Sequence, residues 1–388
     1  MADGDRWVVV PAGQRADGGW IDDTLAQRQA ELALRPRAPQ AGRFPRQRVE
    51  LFRGPNADDD AQELFAQRGW TDGLPIVVPT VRKVELAVQA SGLPAQRLIG
   101  TVDPLGGQGT VEKIAVQAVM AGCRADLLPV VVAAVDAVCD PAFNLRGVQT
   151  TDENVTPLVI VSGPVVKDLG FNAAHGLLGP GWRANATVGR ALRLVLQNLG
   201  GGWPGIVSFA GAGQPGRYTL CLAEDDSLSP WQPLREELGW ARHDSVVIVT
   251  RAESAVNVTG GLPEIASAMG SATSLFSVIH GGVATVLLGP HTARGLARSG
   301  LTRADVQRRL WQDGRLPVHT WDRSWLRTQS SGLTGAAAQA RSAGEPLPVV
   351  ETPQDLVVLV GGGDLPLPQH VWFPTWGFPP ARIVREIR

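Results

Sequence analysis

Apolar residues recur along this chain in two rhythms, and their alternation sets the expected architecture. Residues 61–68, 81–91 and 111–122 read as helices, with Gly69 closing the first and Thr110 at the N-cap of the third. Residues 127–138 are apolar on nearly every side, which predicts a deeply buried helix. Leu158-Val159-Ile160-Val161 is an unbroken apolar run of strand length, the pattern of a strand covered on both faces, as in a parallel sheet. A long helix is expected over about residues 185–199, stopped by Gly200-Gly201-Gly202. Strands follow at 218–223, 245–250, 284–288 and 356–360, with helices at 263–275 and 302–312. Thr302 and Asp305 have the spacing of a capping box for the last helix.

This order of strand, glycine turn and helix predicts an α/β fold: a mixed or mostly parallel sheet flanked by helices. Val161-Ser162-Gly163-Pro164 and Leu287-Leu288-Gly289-Pro290 hold similar places in the two halves, a hint of two related α/β units. The expected division is an arm over residues 1–55, a first α/β domain over 56–240 and a second over 241–388. In the arm, residues 7–10 suit a strand and 22–34 a helix, while the Arg- and Pro-rich stretch 35–48 reads as a linker. Such an arm either hugs its own surface or crosses to another copy in a homo-oligomer. Residues 328–346, rich in Ser, Gly and Ala, are expected to be a mobile connection.

Composition narrows the functional classes. The net charge of −1 gives no field for nucleic acid or an anionic membrane surface, so neither is an expected partner. No stretch reaches the ~20 apolar residues of a membrane span, and the first ten residues do not form a signal peptide. Three cysteines without C-x-x-C spacing argue against a disulfide framework and a structural zinc site. A reducing, cytoplasmic setting is expected. Lys83, Lys113 and Lys167 are the only lysines among 36 basic residues, a bias that fits a GC-rich bacterial genome. A lysine kept against such a bias draws attention to its amine.

Three glycine-rich turns are candidates for holding a small anionic substrate. The most specific is Gly179-Pro180-Gly181-Trp182-Arg183-Ala184-Asn185-Ala186-Thr187, where backbone N–H groups at a helix start and the Arg183 fork would meet a carboxylate or phosphate. The second, Gly106 to Gly109 with Thr110, Glu112 and Lys113, matches neither nucleotide signature, so ATP and NAD are not supported. The third is Gly361-Gly362-Gly363. Lys113 can serve as a base or imine former, and Glu224, at the end of an apolar strand, is the best acid–base candidate. Cys221 is a candidate covalent participant, with a buried structural thiol as the plainer alternative. The six histidines lack metal-ligand spacing, which disfavours a metal. His280-Gly281-Gly282 and His175-Gly176 have the look of loop positions beside a cleft.

Several phrases occur together in a way that resembles one bacterial family. They are Trp70-Thr71-Asp72-Gly73-Leu74-Pro75, Thr110-Val111-Glu112-Lys113, Val119-Met120-Ala121-Gly122-Cys123, the Gly179–Thr187 turn, and Ser229-Pro230-Trp231-Gln232-Pro233-Leu234. The chain resembles the largely uncharacterised proteins that accompany, or are fused to, the UGSC (seleno)protein domain, over about residues 60–320. The resemblance implies thiol, selenol or sulfur chemistry nearby, although this chain has no Gly-Ser-Cys of its own. Asp225 stands where relatives have Asn, and Arg235 where they have His.

Two functions are therefore expected to compete. One is an enzyme of specialised metabolism acting on a small carboxylate-bearing molecule, with carbon–sulfur or other carbon–heteroatom bond chemistry. Lys113, Glu224 and Cys221 would react, Gly179, Gly181, Trp182, Arg183 and Asn185 would bind, and Asn172 and Trp231 would shape the pocket. The other is a non-catalytic binding or scaffold subunit for a thiol or selenol redox partner. The enzyme reading predicts that Lys113, Arg183, Cys221 and Glu224 meet in one cleft.

Overall fold

The computed structural model describes residues 56–329, 332–377 and 379–388; the arm expected over residues 1–55 lies outside them. The apolar strands pair into two four-stranded mixed sheets. In the first, β3 (Thr156–Ser162) runs parallel to β4 (Cys221–Glu224) and antiparallel to β5 (Val246–Ala252), which pairs antiparallel with β12 (Ile383–Glu386). In the second, β7 (Ala284–Leu288) runs parallel to β10 (Leu356–Val360) and antiparallel to β11 (Gln369–Phe373), which pairs antiparallel with β6 (Val256–Thr259).

Side chains alternate across a strand, so each unbroken apolar strand feeds two cores. Val159, Val161, Val247 and Val249 face a helical layer that includes Val111–Ala121, Leu128–Cys139 and Arg183–Asn198. Their neighbours Leu158, Ile160, Val246 and Ile248 face the other sheet, where they meet Leu287, Val357, Leu359 and Phe373. Val286, Leu288, Val358 and Trp372 then face a second helical layer that includes Leu262–Met269 and Arg303–Asp313. The molecule is thus helix, sheet, sheet, helix. The expected α/β class holds, but the second cover over residues 158–161 is another sheet.

The two sheets have the same order and the same strand directions. Read from one edge, β4-β3-β5-β12 matches β10-β7-β11-β6, with β3 and β7 each followed by Gly-Pro. The edge strands are exchanged: β6 follows β5 in the chain yet closes the second sheet, and the last strand, β12, returns to close the first. The division expected at residue 240 is displaced accordingly. The first sheet needs β5 and β12, so the chain crosses between halves at residues 253–255 and again after β11.

Local signals account for most of the helices. Thr110 and Thr302 cap their helices as expected, accepting from Lys113 N at 3.4 Å and Asp305 N at 3.1 Å. The helix expected over 263–275 is broken after Met269, and Ser271 caps a new turn leading to the short helix Leu275–His280. Residues 335–343, expected to belong to a mobile connection, form a helix with Ala337 and Ala340 in the core. Among the described residues, no helix is long and apolar enough to cross a membrane.

Candidate functional site

The four residues expected to share a cleft are separated. Lys113 sits half-buried in the first turn of the helix Val111–Ala121. Arg183 donates from Nε to Gly122 O at 2.9 Å, at the other end of that helix, about 13 Å away at 1.5 Å per residue. Cys221 is buried among the helix-side apolar residues, whereas Glu224, three positions on, turns toward the other sheet. The Gly179–Arg183 turn lies open to solvent, with Trp182 46% exposed. Asn185 and Asn172 turn inward and bond to each other: Asn185 Oδ1 accepts from Asn172 N at 2.8 Å, and its Nδ2 donates to Asn172 O at 2.9 Å. These amides tie the segment before the helix Arg183–Asn198 to the helix itself.

The other two glycine turns serve close packing. Gly107 belongs to β2 (Gly107–Thr110), paired with β1 (Leu98–Val102), and a Cβ there would stand 2.0 Å from Leu199 O. Gly363 packs against His175, whose Nδ1 would be 2.5 Å from such a Cβ. Both turns therefore have a backbone reason for glycine that involves no ligand.

Glu224 is the centre of a buried ionic network. Its Oε2 accepts from Ser162 Oγ at 2.6 Å and its Oε1 from Leu234 N at 2.8 Å, while Arg303 lies 3.7 Å away. Arg235, 1% exposed, forks onto Asp226 with two bonds of 2.7 Å and reaches Ser162 Oγ at 3.1 Å. Arg303 pairs with Glu237 at 2.6 Å and lies over the Trp231 ring, whose Nε1 donates to Leu301 O at 2.9 Å. Burial pushes the Glu224 carboxyl above its usual range, against the pull of Ser162, Leu234 N–H and Arg303. Both Glu224 oxygens are engaged, so the network fastens the ends of β3 and β4 to the segments around Leu234 and Arg303. Asp225 stands outside this network, accepting from Ser227 and pairing with Lys167 at 3.6 Å.

The thiols are equally sheltered. Burial pushes Cys123 up to about 11 and Cys139 up to about 12, and drives Cys221 higher still. Thiolate is the reactive form, so all three should react slowly. Iodoacetamide at pH 7 is expected to label none of them quickly in the folded chain and all three after denaturation. Rapid native labelling of Cys221, read by mass spectrometry, would restore it as a nucleophile.

A different group of residues has the properties of a reactive centre. Glu153 precedes β3, Glu253 follows β5, and His280 ends the helix Leu275–His280, so three distant segments meet at one corner. Glu153 Oε1 lies 3.5 Å from His280 Nε2. Glu253 Oε1 accepts from Asn154 N at 2.9 Å, and Glu253 N donates to Pro374 O at 2.8 Å. Gln214 Nε2 donates to the carbonyls of Asn154, Ala252 and Glu253, which fixes the backbone around both carboxylates. Glu153 Oε2, Glu253 Oε2, Asn154 Oδ1 and Thr375 Oγ1 are all buried with no hydrogen-bond partner among the described residues. Unsatisfied groups of this kind are costly and rarely gather without a reason.

The surroundings tune this corner. Burial, then the neighbouring Glu153, push Glu253 up to about 7, and Asn154 N–H, Arg217 and His280 pull less strongly the other way. Burial also raises Glu153, opposed by His280. His280 stacks on Phe276 with ring centres 6.3 Å apart and meets Trp376 at 5.7 Å. Its side chain keeps 32% exposure, so the corner reaches solvent through the imidazole while both carboxylates stay sheltered.

His280 carried a visible signal in its Gly281-Gly282 neighbours; the carboxylates did not. Glu253 offered the same cue as Glu224, an acid directly after an apolar strand, but without a polar cluster around it. Among the described residues, no group of three or more His, Cys, Asp or Glu is arranged to hold a metal. Fold and site together define an α/β protein with a buried carboxylate–histidine corner. No family model, curated protein or solved structure matches this chain.

Proposed function

We propose that this chain is an enzyme that moves protons on a small carboxylate-bearing molecule, using Glu153, Glu253 and His280. The observation that carries the reading is the meeting of two buried carboxylates, each with an unpartnered oxygen, beside a histidine open to solvent. General acid–base catalysis needs groups that change protonation near the working pH and lie within reach of one proton path. A carbon–heteroatom elimination fits such a set. Glu253, as the carboxylate, takes the proton from carbon, the C–H electron pair becomes a carbon–carbon double bond, the carbon–heteroatom pair leaves with the heteroatom, and His280 gives that heteroatom a proton. The resemblance to proteins that accompany a thiol or selenol partner favours sulfur as that heteroatom. In this reading Lys113, Glu224 and Cys221 are outside the reacting centre.

The test is hydrogen exchange rather than product formation, because exchange reports proton abstraction even where no group leaves. Small mono- and dicarboxylates, with and without a β-thioether, are incubated with the full chain in D2O and followed by proton NMR. At least one should exchange its α-proton, and Glu253→Gln should slow that exchange by roughly 100-fold or more. Binding without exchange would support the alternative, a non-catalytic subunit presenting the molecule to a redox partner. Exchange unaffected by Glu253→Gln would remove this corner from the reaction.

A further inference from the structure

Beside the carboxylates lies a pair of arginines that share one cavity. Arg193, on the helix Arg183–Asn198, and Arg217, closing the turn Pro215–Arg217, line a cavity of about 10 Å3 with Thr156, Gly189, Gly216 and Leu220. Arg193 donates to Gly202 O at 2.8 Å and Arg217 to Ser208 Oγ at 2.7 Å, both neutral acceptors. Among the described residues neither guanidinium has a carboxylate within ion-pair distance; Asp72 acts on Arg193 and Glu253 on Arg217 from farther away. Two half-buried cations lining one cavity repel each other, and an anion placed between them relieves that repulsion. Burial, followed by Arg217, holds Arg193 down to about 10. Thr156 pairs with Ala252, the residue before Glu253, so the cavity lies about one strand spacing from the acid–base corner.

We propose that Arg193 and Arg217 form an anion subsite that takes the carboxylate of a small organic acid. The cavity admits roughly one water-sized group, so it suits the tip of a carboxylate with the rest of the molecule outside. The assignment of an anion site stands on the two arginines; only the direction of the ligand, with its adjoining carbon toward Glu253, rests on the proposed acid–base reading. The site replaces the Gly179–Arg183 turn as the place where an anion is held.

Sodium acetate is the probe, titrated against the melting temperature of the full chain at fixed ionic strength. A bulky sulfonate salt makes up the balance. The wild type should show a saturable rise of about 3 °C. Arg217→Gln and Arg193→Gln should each weaken the apparent affinity at least tenfold, and Arg217→Lys should fall between. An absent rise, or an equal one in the double variant, overturns the subsite. So does a rise with chloride and none with acetate, which would mark a monoatomic anion hole. Should the arginine variants fail to fold, broadening of the acetate 13C resonance by the wild-type chain decides, its absence counting against the site. Glu253→Gln removes the negative charge that acts on Arg217, so it should strengthen the acetate response and never weaken it. Acetate binding without proton exchange would therefore count against catalysis alone, and exchange without dependence on the arginines against the subsite alone.

Discussion

Glu253→Gln should make the folded chain more stable above pH 7, by about 3 kcal/mol, while leaving its stability near pH 4 almost unchanged. The sign follows from the raised acidity constant. Glu253 titrates at about 7 in the fold, against an ordinary value of 4.5, so between these values the folded chain binds more protons than the unfolded one. Stability contributed by the neutral carboxyl is then present below pH 4.5 and is lost as pH rises through 7. Glutamine keeps the acceptor for Asn154 N and removes the charge, so that loss should vanish. Urea unfolding of both chains at pH 4, 6 and 8 measures the difference. A variant that is no more stable at pH 8 than the wild type would mean that the carboxylate is well solvated. The same substitution is expected to slow proton exchange by roughly 100-fold or more. A gain in stability paired with a loss of function is the signature of a group kept for chemistry rather than for the fold.

The opposite outcome is expected at the other buried cluster. Arg303→Met should destabilise the chain by roughly 3–5 kcal/mol, because it takes the neighbouring cation from the buried Glu224 and removes the partner of Glu237. Arg303 is 2% exposed and Glu224 1%, so water cannot take over either role. Adding Glu224→Gln to Arg303→Met should recover a large part of the loss, since the amide carries no charge and still accepts from Leu234 N or Ser162 Oγ. A double-mutant cycle from denaturant midpoints reads this coupling. Strict additivity would show that the two residues do not interact at their separation of 3.7 Å.

The parts of the fold legible in the sequence are those whose residues face apolar cover on both sides. Residues 158–161 and 356–360 are continuous apolar runs, and 284–288 is broken only by Thr285, because a helical layer and a second sheet enclose them. The short closing strands gave no such run. β6 reads Val-Asn-Val-Thr and β12 Ile-Val-Arg-Glu, half-polar segments at sheet edges, and β12 finds its partner β5 more than 130 residues away. Such pairing leaves no local trace. The candidate site was obscured for a similar reason. Glu153 is ordinary in its own segment, and although His280 stands out beside its glycines, only tertiary packing sets Glu153, Glu253 and His280 against one another. The glycine turns misdirected attention toward ligands, because a glycine that admits a phosphate and one that admits a neighbouring carbonyl, as Gly107 admits Leu199 O, are spelled alike.

The exchanged edge strands carry a consequence for descent. If the link between β6 and the helix Leu262–Met269 were opened and each half were an identical chain, the topology would be an isologous dimer with swapped terminal strands. Joining the halves in one polypeptide frees each from having to match the other. The divergence is visible at equivalent positions: Ser162 and Glu224 end one pair of parallel strands, and Leu288 and Val360 end the other. One half keeps a charged network where its counterpart keeps a plain apolar core, an asymmetry that no homodimer of a single gene could hold.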